Sequence, residues 1–290
     1  MNVETLFGTK KPVIGVVHLL PLPTSPRWNG SLQEVIGRAE QEATALAAGG
    51  AHGIIIENFF DAPFAKGRVD AAVVGAMTLA VQHVASMVHL PVGVNVLRND
   101  GLSAMAIAAC TGAKFIRVNV LMGVMATDRG LLEGIAWELL RYRRELNSNV
   151  KILADVLVKH AEPLSTSNIG LAIEETIHRG LADGIIVSGC ATGYPPDPED
   201  LRLARAACGD TPLFVGSGTT WENIGALLQH ADGAIVSTSL KRHGHAQQPI
   251  DPLRVARLLE ALHSGVGDTN SAYNGRRPGT GYPTEQLAGV

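Results

Sequence analysis

Two carboxylates stand inside otherwise apolar runs: Glu57 closes the stretch GIIIEN, and Asp155 sits within KILADVLVKH. A charge in such a place is costly unless a partner or a ligand compensates it. For Asp155 the compensating group is Lys159, Arg117 or a bound ligand. Its role is then either that of a structural ion pair or that of a catalytic acid or base. Glu57 has the same two readings, an acid–base group or a carboxylate that fixes an arginine. Lys159 and Arg117 are candidates for stabilising developing negative charge, Lys159 also for a Schiff base, and His160 for shuttling a proton. Strand alternation puts Asp155, Leu157 and Lys159 on one face and Ala154, Val156, Val158 and His160 on the other.

A second constellation lies in PLFVGSGTTWEN and GAIVSTSLKRHG, where Gly216, Ser217 and Gly218 precede Ser237, Thr238 and Ser239. Glycines let backbone N–H groups approach an anion, and Thr219 or Thr220 is placed to cap a helix near Glu222 whose positive end faces the same spot. These residues form a phosphate site, or else they are plain turn glycines. His18, Asn58, Asn95, Asn119 and Ser188 end other apolar runs and are candidate substrate-binding groups. His18, Glu57, Asp155 and His160 come from strand ends and offer a divalent-metal site as an alternative, but they show no HxH or HxxxH spacing among themselves, so the expectation is no metal and no other cofactor. Cys190 has no histidine placed beside it and is expected to be an unreactive loop cysteine.

The elements that position these groups recur along the chain. Eight short apolar runs, at 13–17, 53–57, 92–96, 115–119, 151–158, 184–188, 213–216 and 234–237, read as strands. Helical periodicity follows them at 31–48, 70–88, 102–110, 131–146, 169–178, 200–207, 222–229 and 252–263. Ser31 with Glu34 forms a capping box, Gly49 and Gly50 stop that helix, and Asp251 with Pro252 opens the last. Strands apolar on both faces, alternating eightfold with helices, predict an α/β fold, a single (β/α)8 TIM barrel over residues 1–264. The polar residues at the strand ends then share its C-terminal face. Residues 265–290 are a Gly- and Pro-rich tail, either disordered or folded through Tyr273, Arg276 and Arg277 over the barrel or a neighbouring subunit. The loop VSGCATGYPPDPED is a lid or a rigid surface loop.

Composition narrows the partners. Lys and Arg number 24 against 27 Asp and Glu, a net charge of −3 without a long basic run, which excludes a nucleic-acid footprint. Three cysteines (Cys110, Cys190 and Cys208) without CxxC spacing argue against a disulfide framework and for a reducing compartment. The apolar N-terminal stretch is broken by Gly15, His18 and Pro21, too interrupted for a signal sequence or a membrane span. The expectation is a cytoplasmic homo-oligomer that binds a small phosphorylated molecule.

The segments VVHLLPLPTSPRW, IIIENFFDAPF, ADVLVKHAEPL, VSGCATG, FVGSGTTWENI and STSLKRHGHAQQPIDPLRV resemble the BtpA family, also called the BtpA/SgcQ family, in the right order from Val13 to about Leu262. The resemblance implies a (β/α)8 barrel and two settings, photosystem I assembly or stabilisation and bacterial carbohydrate metabolism. In the first of these, peripheral membrane association would follow. It transfers importance, without roles, to Glu57, Asn58 and Asp61, to Asp155, Lys159 and His160, and to Gly216, Ser217 and Gly218. Ser237 and Gln248 stand where the family pattern has Gly and Asn, and a side chain at 237 crowds a backbone approach to an anion. The leading expectation is an enzyme acting on a small phosphorylated sugar or nucleoside-like metabolite by C–C cleavage, isomerisation or glycosidic hydrolysis. The alternative is a non-catalytic factor in photosystem I biogenesis.

Overall fold

Eight parallel strands close into one barrel, in the spatial order β1-β11-β10-β9-β7-β4-β3-β2. They are β1 (Val13–His18), β2 (Gly53–Glu57), β3 (Val92–Asn95), β4 (Phe115–Val118), β7 (Lys151–Val156), β9 (Gly184–Val187), β10 (Leu213–Val215) and β11 (Gly233–Val236). The computed structural model describes residues 1–128, 130–158, 160–189 and 193–264. Lys159, Cys190 and the tail 265–290 lie outside the described residues.

A helix follows each barrel strand: α2 (Leu32–Ala48), α3 (Ala71–Met87), α4 (Gly101–Thr111), α5 (Ala136–Glu145), α6 (Ile169–His178), α7 (Pro198–Cys208), α8 (Ile224–His230) and α9 (Pro252–Ser264). Ser31 Oγ accepts the Glu34 N–H at 3.2 Å, as the capping signal predicts. The return bond differs, because the Glu34 carboxylate goes to Asn29 Nδ2 instead.

Two expectations fail locally. Residues 131–146 do not form one helix. β6 (Gly130–Glu133) pairs with β5 (Val124–Thr127), which also pairs with β8 (Glu162–Pro163), and only α5 is helical. Leu132 is buried there while its neighbours Leu131 and Glu133 are exposed, which is the period of two of a strand read earlier as helix. The fifth barrel strand stops at Val156 rather than 158, because Leu157 adopts a left-handed φ of 48°. The remaining bounds agree within two residues. A further short helix without a counterpart among the expected elements, α1 (Val3–Phe7), is capped by Asn2 and precedes β1.

That short helix closes the N-terminal end of the barrel. Phe7 meets Phe115 edge-on at 5.5 Å and Phe214 at 6.3 Å. With Ile14, Val16, Ile55, Leu153, Ile186 and Ile235 they fill the lower lumen. Gly93 and Gly233 make room for the two rings, since a Cβ at Gly93 would lie 2.5 Å from Phe115 Cζ and one at Gly233 2.9 Å from Phe214 Cδ1.

One ion pair is buried outside the lumen. Lys241, just past β11, donates to both oxygens of Glu42 on α2 at 2.9 and 3.1 Å, and both side chains are wholly inaccessible. Burial pulls the lysine below its ordinary pKa and Glu42 opposes this. The pair pins the segment after β11 to α2. Glu42→Gln should therefore strand a buried ammonium and lower stability by about 3–5 kcal/mol, read as a lower urea midpoint at unchanged slope. Removing both charges with Glu42→Leu and Lys241→Met should recover most of it. A single variant within about 1 kcal/mol of wild type would show that the pair pins nothing.

Candidate active site at the barrel mouth

Two residues beyond each lumen residue of the lower layer, the same strand face carries a polar group or a gap. His18 follows Val16, Glu57 follows Ile55, Asn95 follows Gly93, and Arg117 follows Phe115. Asp155 follows Leu153, Ser188 follows Ile186, Gly216 follows Phe214, and Ser237 follows Ile235. The strand period of two thus raises a ring on top of the apolar plug, at the end of the barrel where active sites lie.

The ring divides into two arcs. In the first, register sets His18 opposite Glu57 and Glu57 opposite Asn95. Asn95 Nδ2 donates to Glu57 Oε2 at 2.7 Å. His18 Nε2 lies 3.7 Å from Glu57 Oε1 and 3.2 Å from Ser237 Oγ, and the imidazole stacks on Phe59 at 4.2 Å. Glu57 and Ser237 share one ring nitrogen, so this is not a serine–histidine–acid relay, which uses opposite nitrogens. Ser237, a departure from the family pattern, is thereby given a partner.

In the second arc, Arg117 grips Asp155 with two parallel bonds, Nε to Oδ2 and Nη2 to Oδ1, both 2.8 Å. Asn119 Nδ2 adds a bond to Oδ2 at 3.0 Å, and Ser188 Oγ one to Oδ1 at 3.4 Å. The Asp155 side chain is 1% exposed and that of Arg117 6%. Burial alone would lower the guanidinium pKa. The Asp155 charge and hydrogen bonds outweigh it, with help from Glu57, and hold the pKa above its ordinary value. Of the partners the sequence left open for Asp155, the geometry pairs it with Arg117. A second cation, Arg98, enters from the loop after β3. Burial lowers its pKa while Asp155, Glu57 and Asp128 oppose the shift. Gly216 keeps the ring open: a Cβ there would lie 2.6 Å from Ile186 Cγ2 and 3.4 Å from Arg117 Nη2, and would overlap Ser188 Oγ.

Other candidates brace the mouth. Asn58 accepts from Leu97 N at 2.7 Å and donates to Asp61 Oδ2 at 3.0 Å, while Asp61 Oδ1 accepts from Leu22 N at 2.7 Å. Burial raises the Asp61 pKa against these bonds. The bracket ties together the loops after β1, β2 and β3. Ser217 Oγ donates to the Tyr194 carbonyl at 2.8 Å and accepts from Gly189 N at 3.1 Å. Gly218, at φ 69°, lies where a Cβ would overlap the Tyr194–Pro195 backbone. Both hold the loop after β9. Neither Thr219 nor Thr220 caps a helix, because α8 begins only after Asn223, whose Oδ1 instead accepts from Thr220 N at 2.8 Å. His160 is exposed and has a left-handed φ of 56°, so it stands off the ring.

A cavity of about 330 Å³ lies over the first arc and the turns after β10 and β11. Glu57, His18, Arg117, Gly216, Ser237 and Thr238 line it, as do Ser217 and Gly218. So do Thr219, expected there only as a helix cap, and Arg254, which no sequence signal marks. Arg254 is the third residue of α9, a position that looks like any charged residue on an amphipathic helix. Among the described residues no three His, Cys, Asp or Glu side chains come together as a metal-ligand set.

Residues 9–264 match the model of the BtpA family. The photosystem I biogenesis protein BtpA of Synechocystis sp. is 65% identical over 92% of this chain and 93% of its own. An uncharacterized protein of Pyrococcus furiosus is 44% identical over 91% of this chain and 99% of its own. Among solved structures, thiamine phosphate pyrophosphorylase from Pyrococcus furiosus superposes with a TM-score of 0.54 at 14% identity, over 89% of this chain and 98% of its own, a likeness of fold.

The second arc makes a definite stability prediction. Asp155→Asn should leave the Arg117 charge buried without its counter-ion and cost about 3–5 kcal/mol, measured by urea unfolding. Arg117→Met combined with Asp155→Leu should be less destabilised than the single variant. If Asp155→Asn instead matched wild-type stability, Asp155 would not be the anchor of Arg117.

Proposed function

The chain belongs to the BtpA family, and we propose that its barrel mouth binds and transforms a small phosphorylated metabolite, a sugar phosphate or nucleoside-like compound. The observation that carries this reading is the cavity itself. One wall holds a carboxylate, an imidazole and an arginine, and the other is made of glycine- and hydroxyl-rich turns. Its volume falls at the small end of the range for ligand pockets.

Glu57 is the acid–base group in this reading. Asn95 holds one of its oxygens, and His18 Nε2 approaches the other, where the imidazole can exchange a proton with the carboxylate. Arg117, oriented by Asp155, stabilises negative charge as it develops on the substrate. Hydrolysis by a carboxylate pair needs two carboxylates free to act, and both oxygens of Asp155 are committed to Arg117. One mobile proton acceptor beside a fixed cation suits abstraction of a proton next to a carbonyl, the chemistry of isomerases and of many lyases. The phosphate would lie toward the turns at Gly216–Gly218 and Ser237–Thr238.

A second reading is a non-catalytic factor in photosystem I biogenesis, favoured by the name of the Synechocystis relative. No helix among the described residues is long and apolar enough to cross a membrane.

A thermal-shift screen of phosphorylated metabolites, followed by turnover assays on the hits, tests the enzyme reading. A ligand at 100 times its dissociation constant should stabilise by about 2.7 kcal/mol. Glu57→Gln should keep that protection and lower turnover by about 10²- to 10⁴-fold. Absence of any protecting metabolite, together with full biological activity of Glu57→Gln, would favour the non-catalytic factor.

A further inference from the structure

We infer that Arg254 and Thr219 form the grip for the phosphoryl group, and so fix which end of the substrate lies under α9 and which faces Glu57. The inference rests on the reading of the mouth as a phosphometabolite site and adds the residues that recognise the anion. Ser217 is poorly suited to that task, because its hydroxyl already donates to Tyr194 and accepts from Gly189.

Arg254 is built into place. Its Nε donates to the Ser239 carbonyl at 2.8 Å, and its guanidinium lies 4.9 Å from the centroid of the Trp221 ring. Ser239 Oγ in turn donates to the Thr219 carbonyl at 2.7 Å, so the turn after β10, the turn after β11 and α9 are tied through one cluster. Nε and the ring face are thus used, and the terminal nitrogens make no bond to another described residue. Those are the donors that bind a phosphate in parallel pairs. Arg257, 3.9 Å from the same ring centroid, adds positive charge nearby. It does not line the cavity.

Thr219 supplies an independent observation. It is 2% exposed, it lines the same cavity, and its buried hydroxyl has no hydrogen-bond partner among the described residues. A buried hydroxyl without a partner is destabilising in the free protein, so an entering phosphoryl oxygen would supply what the fold lacks. With the anion held at Thr219 and Arg254, the remainder of the ligand extends toward His18, Glu57 and Arg117, which line the same cavity.

The test titrates inorganic phosphate against the full chain at constant ionic strength, with chloride as the balancing anion, and reads binding by thermal shift and calorimetry. Arg254→Met should weaken phosphate binding about 10- to 100-fold, the loss of a charged hydrogen-bonded contact. Arg254→Lys should fall between Met and wild type, because it keeps the charge and loses the fork. Thr219→Val should weaken binding while leaving the ligand-free melting temperature unchanged or higher, a combination that mere structural damage does not produce. Arg257→Met should bind within about twofold of wild type.

If wild type binds phosphate and Arg254→Met and Thr219→Val bind it equally well, the grip is overturned and the phosphometabolite reading stands. If Arg257→Met loses as much as Arg254→Met, the effect is general positive potential, and the grip is again overturned. If wild type binds neither phosphate nor any phosphorylated compound of the screen, both readings fall.

Discussion

A closed barrel takes the filling of its lumen from every second residue of eight strands, and everything at the mouth of this protein follows from that restriction. The lower turns of alternation supply Ile, Val, Leu and two phenylalanines, with Phe7 of the N-terminal helix sealing the end. The next turn supplies His18, Glu57, Asn95, Arg117, Asp155, Ser188, Gly216 and Ser237. Neither layer shifts without the other, because a slip of one residue in any strand would send its ring member out among the helices and an outward-facing aliphatic residue into the lumen. The apolar plug therefore fixes the height and direction of the polar ring.

A ring of charges buried on top of an apolar plug survives only by mutual compensation. Arg117 and Asp155 satisfy each other with two bonds and enlist Asn119 and Ser188. Glu57 is left with weaker partners, an asparagine amide and an imidazole at 3.7 Å. The two carboxylates that look alike in the sequence thus diverge in the fold: Asp155 is committed through both oxygens to Arg117, and Glu57 is held by one short bond from Asn95. Environment separates two chemically equivalent side chains in this way wherever acid–base roles are divided.

The barrel was legible because buried parallel strands read as short runs of Val and Ile, and because each is followed by a helix with recognisable punctuation, such as Ser31 and Asp251-Pro252. The strand-end rule also gathered most of the ring. Misreadings have local causes. Residues 131–134 carry a strand period too short to distinguish from the helix that follows. The strand through Asp155 ends before Val158, and the left-handed turn at Leu157 that ends it leaves no mark in a non-glycine residue. That Asn58, Ser217 and Gly218 also brace the mouth was not legible, because their partners at Leu97, Tyr194 and Pro195 are visible only once loops from different strands meet. The pair Glu42–Lys241 spans 199 residues and no spacing rule reaches so far. Arg254 carries no signal of its own; what distinguishes it is Trp221 beneath and Ser239 beside it.

The cost of the ring bears on what the barrel is for. Glu57, Arg98, Arg117 and Asp155 are each less than a tenth exposed, and withdrawing such ions from water carries a penalty of several kcal/mol apiece that pairing offsets only in part. A barrel serving solely as a rigid surface for assembly has no need of it: hydrophobic residues of similar volume at those positions would be neutral or stabilising. The cost of the ring, together with a Thr219 hydroxyl that has no hydrogen-bond partner among the described residues, supports the reading we propose, a site whose remaining partner arrives from solution. Such a site would be compatible with a setting in photosystem biogenesis, which would specify when and where a ligand is met, while the buried ring would contact it.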